Sequence, residues 1–145
     1  MSARAASSPA VRVLVADDDE SQRILYGSLV LGLPGVTSVV AAQDGVEAVR
    51  VAGTFALHVA ILDLNMPRLD GVEAALRLSA TQPSLRIALH SSDPDELRER
   101  AHGLGLPLFG KLEVDRLAEW VEDEAMRWSA ILDAVSVCGS SRVAL

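Results

Sequence analysis

The chain has 145 residues and a net charge of −7, and half of its residues are hydrophobic although only 3% are aromatic. This length provides one domain with a real core. The scarcity of aromatic rings argues against a platform for stacking bases, and the negative charge argues against binding to phosphate backbones, so we expect no direct DNA binding. An acidic chain is compatible with a site that captures a divalent cation.

Three features of the sequence predict a cytoplasmic protein. Residues 1–10 are small and polar and lack the apolar core of a signal peptide, so we expect a disordered leader. The single cysteine, Cys138, cannot form an internal disulfide, which suits a reducing compartment. Because no run of 18 apolar residues is present, we expect no membrane contact.

Five short apolar segments alternate with segments of helical periodicity along the chain. The predicted strands are residues 11–16, 36–42, 59–62, 85–89 and 106–109. Ser21 is expected to cap the first helix, and the helical spacing predicts an apolar face of Ile24, Leu25, Leu29 and Val30. Gly53 and Gly103 are expected to end the second and fourth helices.

The fourth helix has the clearest start signal. Asp93 is a capping residue, Pro94 suits the first helical position, and Glu96 follows three residues after the cap. The last helix is expected to begin near Val114, and its apolar spacing continues beyond Trp128. We therefore predict one domain over residues 11–128. The extension over residues 129–145 would be partly helical or disordered and could serve as a docking or dimerisation surface.

Alternation of strands and helices is typical of a parallel sheet with helices on both faces, joined by right-handed crossovers. We predict an α/β fold of the flavodoxin-like, doubly wound type, with a five-stranded parallel sheet in the order 2-1-3-4-5 and five helices. In this strand order, the crevice for ligands opens at the carboxyl edge between the first and third strands.

Reactive side chains follow four of the five predicted strands. Asp17 and Asp18 follow the first strand, Asp63 the third, Ser91 the fourth and Lys111 the fifth. All of these strand ends meet at one edge of a parallel sheet. Three carboxylates in one crevice would raise one another's pKa unless a cation lies among them. Mg²⁺ is suited to such a site because it takes oxygen ligands.

The stretch around Asp63 leaves two interpretations open: a reactive carboxylate, or a cap for the next turn. A carboxylate can attack phosphorus to give an acyl phosphate, and phosphoryl transfer needs mainly positioning and charge neutralisation. Lys111, the only lysine beside twelve arginines, could neutralise phosphoryl oxygens, and Ser91 could donate a hydrogen bond to one of them. The acyl phosphate would act as a switch as much as a catalyst.

Taken together, these residues resemble the receiver domain of a two-component response regulator. The resemblance spans roughly residues 11–127 and rests on motifs in a fixed order. They are Asp17-Asp18, Asp63-x-Asn65-Met66-Pro67 followed by Gly71, Ser91-Ser92, and Lys111. Because the length leaves no room for an output domain, we expect a single-domain regulator. A fragment of a longer regulator is the alternative.

The resemblance implies the composition of a Mg²⁺ site. Asp63 would be the phospho-acceptor and a metal ligand. Asp18 would bind Mg²⁺ directly, and Asp17 would bind it partly through water. The backbone carbonyl of Asn65 would be a further ligand.

The resemblance also implies the remaining roles and the partners. Ser91 would occupy the switch hydroxyl position, and Lys111 would contact the phosphoryl oxygens. The donor would be a sensor histidine kinase or a phosphotransfer protein, and the output would pass to another protein. Such a domain is not an enzyme with a separate substrate, although it assists its own phosphorylation and dephosphorylation.

Two positions depart from the family pattern. Leu112 follows the lysine where the family usually has proline, so the loop into the last helix could be shaped differently. Leu108 stands where the family tends to have tyrosine or phenylalanine, and Phe109 would point the other way along the strand. We therefore expect intact phosphorylation chemistry with a less typical conformational response.

Other interpretations remain open on the sequence alone. A degenerate receiver would use the fold only as an interaction module. An aspartyl-nucleophile phosphatase is disfavoured, because Asn65 stands where such enzymes carry a second aspartate as general acid. His58, His90 and His102 fall in no metal-ligand spacing and are interpreted as ordinary structural or surface residues.

Overall fold

The computed structural model describes residues 10–144, with side chains described for residues 10–136. The strands are β1 (Arg12–Ala16), β2 (Ser38–Ala42), β3 (Val59–Asp63), β4 (Arg86–Ser91) and β5 (Leu108–Gly110). The helices are α1 (Glu20–Leu31), α2 (Gly45–Thr54), α3 (Gly71–Thr81), α4 (Pro94–Arg100) and α5 (Val114–Ala144).

The strands form one parallel sheet in the order β2-β1-β3-β4-β5, which confirms the predicted flavodoxin-like fold. Two hydrophobic clusters cover its faces. One joins the sheet to α2, α3 and α4 through residues such as Ala48, Leu78 and Leu97. The other joins it to α1 and α5 through residues such as Val30 and Val121. The central strand β3 is buried along its whole length, as its continuous apolar run predicts.

Several element boundaries differ from the prediction. β4 continues through Ser91 because it pairs with β5 as far as Gly110, and β2 begins at Ser38. β5 is restricted to Leu108–Gly110. These shifts place Ser91 inside the strand, one residue beyond His90, and this position matters for the site.

The start of α1 is also corrected. Asp19 caps the helix in place of Ser21, because its carboxylate accepts hydrogen bonds from the backbone N–H groups of Ser21 and Gln22. Ile24 and Leu25 are more than half exposed, so they do not form the buried face of this helix. Its buried residues are Tyr26 and Val30.

Two glycines do not end helices as predicted. Gly53 lies within α2, which continues to Thr54 and is capped at Phe55. Helix α4 ends at Arg100, and the turn that follows contains Gly103 with a φ of 82°. The predicted start of α4 is correct, since the Asp93 carboxylate accepts a hydrogen bond from the Glu96 N–H and Pro94 occupies the first turn.

Helix α5 begins at Val114, as predicted, and continues to Ala144. Leu117 and Val121 are buried against the sheet, whereas Ile131 and Val135 are at least half exposed. The domain boundary at residue 128 stays a prediction, and the predicted leader, residues 1–10, lies outside the described part except for Ala10. Among the described helices, none is both long and apolar enough to cross a membrane.

The turn between β3 and α3 depends on a close backbone approach at Gly71. Its N–H donates to the Leu64 carbonyl, and a Cβ added at this position would overlap the carbonyl oxygen of Asp63. Gly53 in α2 provides a matched comparison, because an added Cβ there meets nothing within 4 Å.

We predict that Gly71→Ala lowers the free energy of unfolding by about 1–3 kcal/mol, the usual cost of forcing atoms into a packed site. Gly53→Ala should raise the free energy of unfolding by about 0.5–1 kcal/mol, because alanine stabilises a helix relative to glycine. Urea unfolding of the two variants tests both expectations. A Gly71→Ala variant as stable as Gly53→Ala would contradict the close approach.

Candidate functional site

Two buried carboxylates lie side by side at the carboxyl edge of the sheet. Asp17 follows β1, and Asp63 is the last residue of β3, the strand paired with β1. Asp17 is fully buried and Asp63 is 5% exposed. The Asp17 carboxylate also accepts a hydrogen bond from the Asp19 N–H, which anchors it at the turn into α1. The predicted convergence of these two aspartates is therefore present.

Lys111 reaches this pair from the far side of β4. Its ammonium nitrogen lies 3.0 Å from Oδ2 of Asp17 and 3.4 Å from Oδ1 of Asp63. The lysine side chain is only 16% exposed, so its charge acts at short range with little solvent screening. The structure therefore brings Asp17, Asp63 and Lys111 into one ion cluster.

The electrostatics of this cluster are unbalanced. Burial, followed by the neighbouring charge of Asp17, raises the pKa of Asp63 from 3.8 to about 7, and Lys111 offsets only part of this effect. Burial alone would lower the pKa of Lys111, but its hydrogen bond to Asp17 and the charge of Asp63 raise it overall. An ammonium between two carboxylates leaves one negative charge unmatched, and an additional cation would stabilise the ionised form of Asp63.

The hydroxyl of Tyr26 fixes the backbone at the lysine. It donates a hydrogen bond of 2.9 Å to the Lys111 carbonyl, which ties α1 to the loop after β5. No cis peptide bond occurs among the described residues, and Leu112 is fully exposed. Although no proline follows the lysine, the hydrogen bond from Tyr26 holds the backbone at Lys111 in position.

The residues before the lysine follow the predicted alternation. Phe109 is buried in the cluster that faces α1 and α5. Leu108 packs against the opposite cluster, which faces α2, α3 and α4. Leu108 is therefore half-buried on one face of the sheet, and the ring of Phe109 lies on the opposite face.

Asp18 and Asn65 lie at the rim of the site. Asp18 is exposed beside Asp17, and its charge is among the smaller effects that raise the pKa of Asp63. The side chain of Asn65 accepts a hydrogen bond of 2.7 Å from Arg100 and contacts Glu96. Because its amide is engaged with α4, the backbone carbonyl is the group of Asn65 left for the predicted role.

Ser91 is buried at the end of β4, but its hydroxyl is already engaged. The oxygen accepts a hydrogen bond of 3.0 Å from the Asp93 N–H at the start of α4. Because Asp63 is paired with His90, the Ser91 side chain begins on the opposite face of the sheet from the Asp63 side chain. The structure places Ser91 at the predicted edge without placing its hydroxyl in the carboxylate cluster.

Two ion pairs hold the loop after β3 around the site. Arg68, whose φ is 68°, pairs with the buried carboxylate of Asp44, and a backbone hydrogen bond from Glu47 is the main cause that lowers the Asp44 pKa. Arg100 of α4 donates to Asp70 at 2.7 Å and also contacts Glu96. This loop is therefore fastened to both of its neighbouring segments.

His90 is the site residue that sequence reasoning missed. Its ring is fully buried, its Nε2 lies 3.8 Å from Oδ2 of Asp17, and it packs edge-on against Tyr26. Ligand atoms of Asp17, Asp63 and His90 all lie within 4.8 Å of one another. The sequence contains one indication of this role, which is that His90 directly precedes Ser91. A strand that continues to Ser91 pairs His90 with Asp63.

Residues 13–109, more than half of the chain, match the family model described as the response regulator receiver domain. The chain therefore belongs to this family and is a receiver domain of the kind found in two-component response regulators. This family consists of signalling domains.

Two curated relatives illustrate the match. The chain is 41% identical over 95 residues to response regulator MprA from Mycobacterium sp. (strain KMS), covering 65% of this chain and 40% of the relative. It is 39% identical over 74 residues to protein-glutamate methylesterase/protein-glutamine glutaminase 4 from Myxococcus xanthus (strain DK1622), covering 51% and 21%. The alignments thus span less than half of either relative.

Solved structures share the fold. The N-terminal domain of an uncharacterized protein from Wolinella succinogenes superposes with a TM-score of 0.73 at 30% identity, covering 83% of this chain and 98% of that one. The receiver domain of Saccharomyces cerevisiae Ssk1, solved with the histidine phosphotransfer protein Ypd1, gives a TM-score of 0.71 at 20% identity, covering 83% and 92%.

Because the pKa of Asp63 is raised, we predict that Asp63→Asn increases the free energy of unfolding of the metal-free protein by an amount that depends on pH. Below about pH 3 the aspartate is protonated in the folded and unfolded states alike, so the electrostatic gain in the free energy of unfolding is near zero. The gain should grow as pH rises towards 7 and level off above it, reaching on the order of 2–4 kcal/mol in the free energy of unfolding.

Urea unfolding in the presence of a chelator at pH 4.5 and pH 8 measures this difference. Asp123→Asn, an exposed carboxylate on α5, is the matched control and should change the stability by less than about 0.5 kcal/mol at both values. An equal effect of Asp63→Asn at both pH values would contradict the assigned electrostatics.

Proposed function

We propose that this chain accepts a phosphoryl group on Asp63 from a histidine kinase or a phosphotransfer protein and signals through protein–protein interaction. The observation that carries the proposal is the cluster in which the Lys111 ammonium lies 3.0 Å from Asp17 and 3.4 Å from Asp63. In the transfer, a carboxylate oxygen of Asp63 bonds to phosphorus while the phosphorus–nitrogen bond of the donor breaks. The leaving imidazole keeps the electron pair and takes up a proton.

The same cluster supports phosphorylation over the alternative of a degenerate interaction module. A module that does not use its crevice has no need to keep two buried carboxylates and an ammonium together, because burying them is costly. The phosphatase alternative is further weakened by Asn65, whose amide cannot exchange a proton as a general acid and is hydrogen-bonded to Arg100.

The donor set fits a Mg²⁺ ion, because it is rich in carboxylate oxygens and carries an unmatched negative charge. We assign Asp17, Asp18, Asp63 and the backbone carbonyl of Asn65 as the groups that would hold it. When bound, Mg²⁺ would neutralise charge on the phosphoryl oxygens. Lys111 would contact these oxygens, and Ser91 would need to turn its hydroxyl towards them.

The donor would approach beside Lys111. A cavity of about 750 Å³ opens here between α1, α4 and the loop after β5. Leu25 and Leu112, both largely exposed, line it together with Tyr26 and Lys111. Exposed apolar side chains next to a reactive group are typical of a protein-binding surface.

The remaining parts of the proposal concern output and context. The domain would assist its own phosphorylation and dephosphorylation, and its output would pass to a protein partner in the cytoplasm. The exposed apolar side chains Ile131 and Val135 on the distal part of α5 support a homodimer as one form of output.

Beryllofluoride, which mimics a phosphoryl group on a carboxylate, tests the proposal. We predict that the chain binds it only when Mg²⁺ is present, as followed by ¹⁹F NMR. Asp63→Asn should abolish the bound signal. Lys111→Met should weaken the affinity about tenfold or more, because a hydrogen bond between charged groups contributes roughly 1.5–3 kcal/mol.

Arg98→Met is the matched control, since it removes an exposed cation of α4 that pairs only with Asp95 among the described residues. Its affinity for beryllofluoride should equal that of the wild type. Mg²⁺-independent binding, or binding that survives Asp63→Asn, would refute the proposed acceptor.

A further inference from the structure

The imidazole of His90 is buried without a hydrogen-bond partner. Its side chain is 0% exposed, and neither ring nitrogen is paired within the described part of the chain. Leaving a buried donor or acceptor unsatisfied costs roughly 1–3 kcal/mol. Such a group in a native protein calls for an explanation, and a bound ion is one of the ordinary ones.

The polar groups nearest to the ring do not form hydrogen bonds with it. Tyr26 lies edge-on at a centroid distance of 4.8 Å, but its hydroxyl already donates to the Lys111 carbonyl. The polar atom facing Nε2 is Oδ2 of Asp17, at 3.8 Å, which is too long for a direct hydrogen bond. The neutral form of an imidazole keeps a lone pair on one ring nitrogen, and this lone pair can bind a metal ion.

We propose that Asp17, Asp63 and His90 form a binding site for a divalent transition-metal ion that accepts nitrogen, such as Zn²⁺ or Co²⁺. Imidazole suits these ions, whereas Mg²⁺ prefers oxygen alone. Ligand atoms about 2.0–2.2 Å from a tetrahedral ion lie about 3.4 Å apart. The three ligand atoms here lie within 4.8 Å of one another, so small movements of the side chains complete the site.

Binding of this ion requires Lys111 to move. Its ammonium lies 3.0 Å from Asp17 and 3.4 Å from Asp63, where a dication would repel it. The lysine also lines the cavity of about 750 Å³, which gives its side chain room to turn away. The ion would bind to the Asp63 carboxylate and would at the same time displace the Lys111 ammonium. A consequence, which rests on the proposed function, is that the ion and a phosphoryl group exclude one another.

Titration of the metal-free full chain with Co²⁺ tests the site. Visible absorption reports the ligand field of the ion, and a contact-shifted imidazole N–H signal in the proton NMR spectrum reports a nitrogen ligand directly. We expect one Co²⁺ per chain with such a signal. His90→Leu should lose the signal and bind at least tenfold more weakly. His102→Ala, which removes an exposed imidazole, should behave as the wild type.

The proton NMR spectrum of wild-type protein keeps the test decisive even if His90→Leu does not fold. Absence of a contact-shifted imidazole signal at Co²⁺ saturation would overturn the proposal, as would wild-type Co²⁺ affinity in a folded His90→Leu variant. In wild-type protein, added Zn²⁺ should also reduce Mg²⁺-dependent beryllofluoride binding, and a chelator should restore it. Failure of beryllofluoride to bind with Mg²⁺ alone counts against the proposed function and leaves the Co²⁺ result standing.

Discussion

Charge balance in a buried crevice is the constraint on which this site depends. Asp17 and Asp63 place two carboxylates below the surface at the carboxyl edge of the sheet, and Lys111 provides one ammonium. The pKa of Asp63 rises to about 7 because burial and Asp17 outweigh the lysine. A phosphoryl group on Asp63 would add further negative charge to this cluster. Phosphorylation would therefore require that a divalent cation is bound there.

The fold holds this cluster by fixing the backbone around it. β3 is buried on both faces and carries Asp63 to the same edge as Asp17. On one side, Tyr26 of α1 anchors the Lys111 carbonyl. On the other, Arg100 of α4 is hydrogen-bonded to the loop that follows Asp63. The reactive groups therefore lie between two anchored segments, one in contact with α1 and the other in contact with α4.

The sequence was sufficient to predict the fold and the central ion cluster, because strand ends in a parallel sheet meet at one edge. Asp17, Asp63 and Lys111 lie at the ends of three different strands, and this rule together with the strand order places them in one crevice. Their assigned roles remain proposals. This rule does not determine the direction of each side chain. For that reason the Ser91 hydroxyl was expected in the crevice, although the structure places it elsewhere.

The features that sequence reasoning missed depend on register and on three-dimensional neighbours. His90 was interpreted as an ordinary structural or surface residue because it falls in no metal-ligand spacing, whereas pairing of β4 with β3 sets His90 opposite Asp63. Leu112 indicated that the loop after the lysine could be shaped differently, but Tyr26, which is 85 residues away in sequence, fixes the backbone there. Val30 of α1 is buried as its helical spacing predicts, yet Ile24 and Leu25 are exposed because the sheet covers the face that contains Tyr26.

The proposed role of Asp63 is tested most directly by locating the phosphoryl group chemically. The chain would be incubated with acetyl phosphate and Mg²⁺ and then treated with borohydride, which converts an aspartyl phosphate into homoserine, and its peptides would be read by mass spectrometry. We predict homoserine at residue 63 and at no other position. Conversion at residue 17 or 18, a phosphohistidine at residue 90, or no modification of the chain would contradict it.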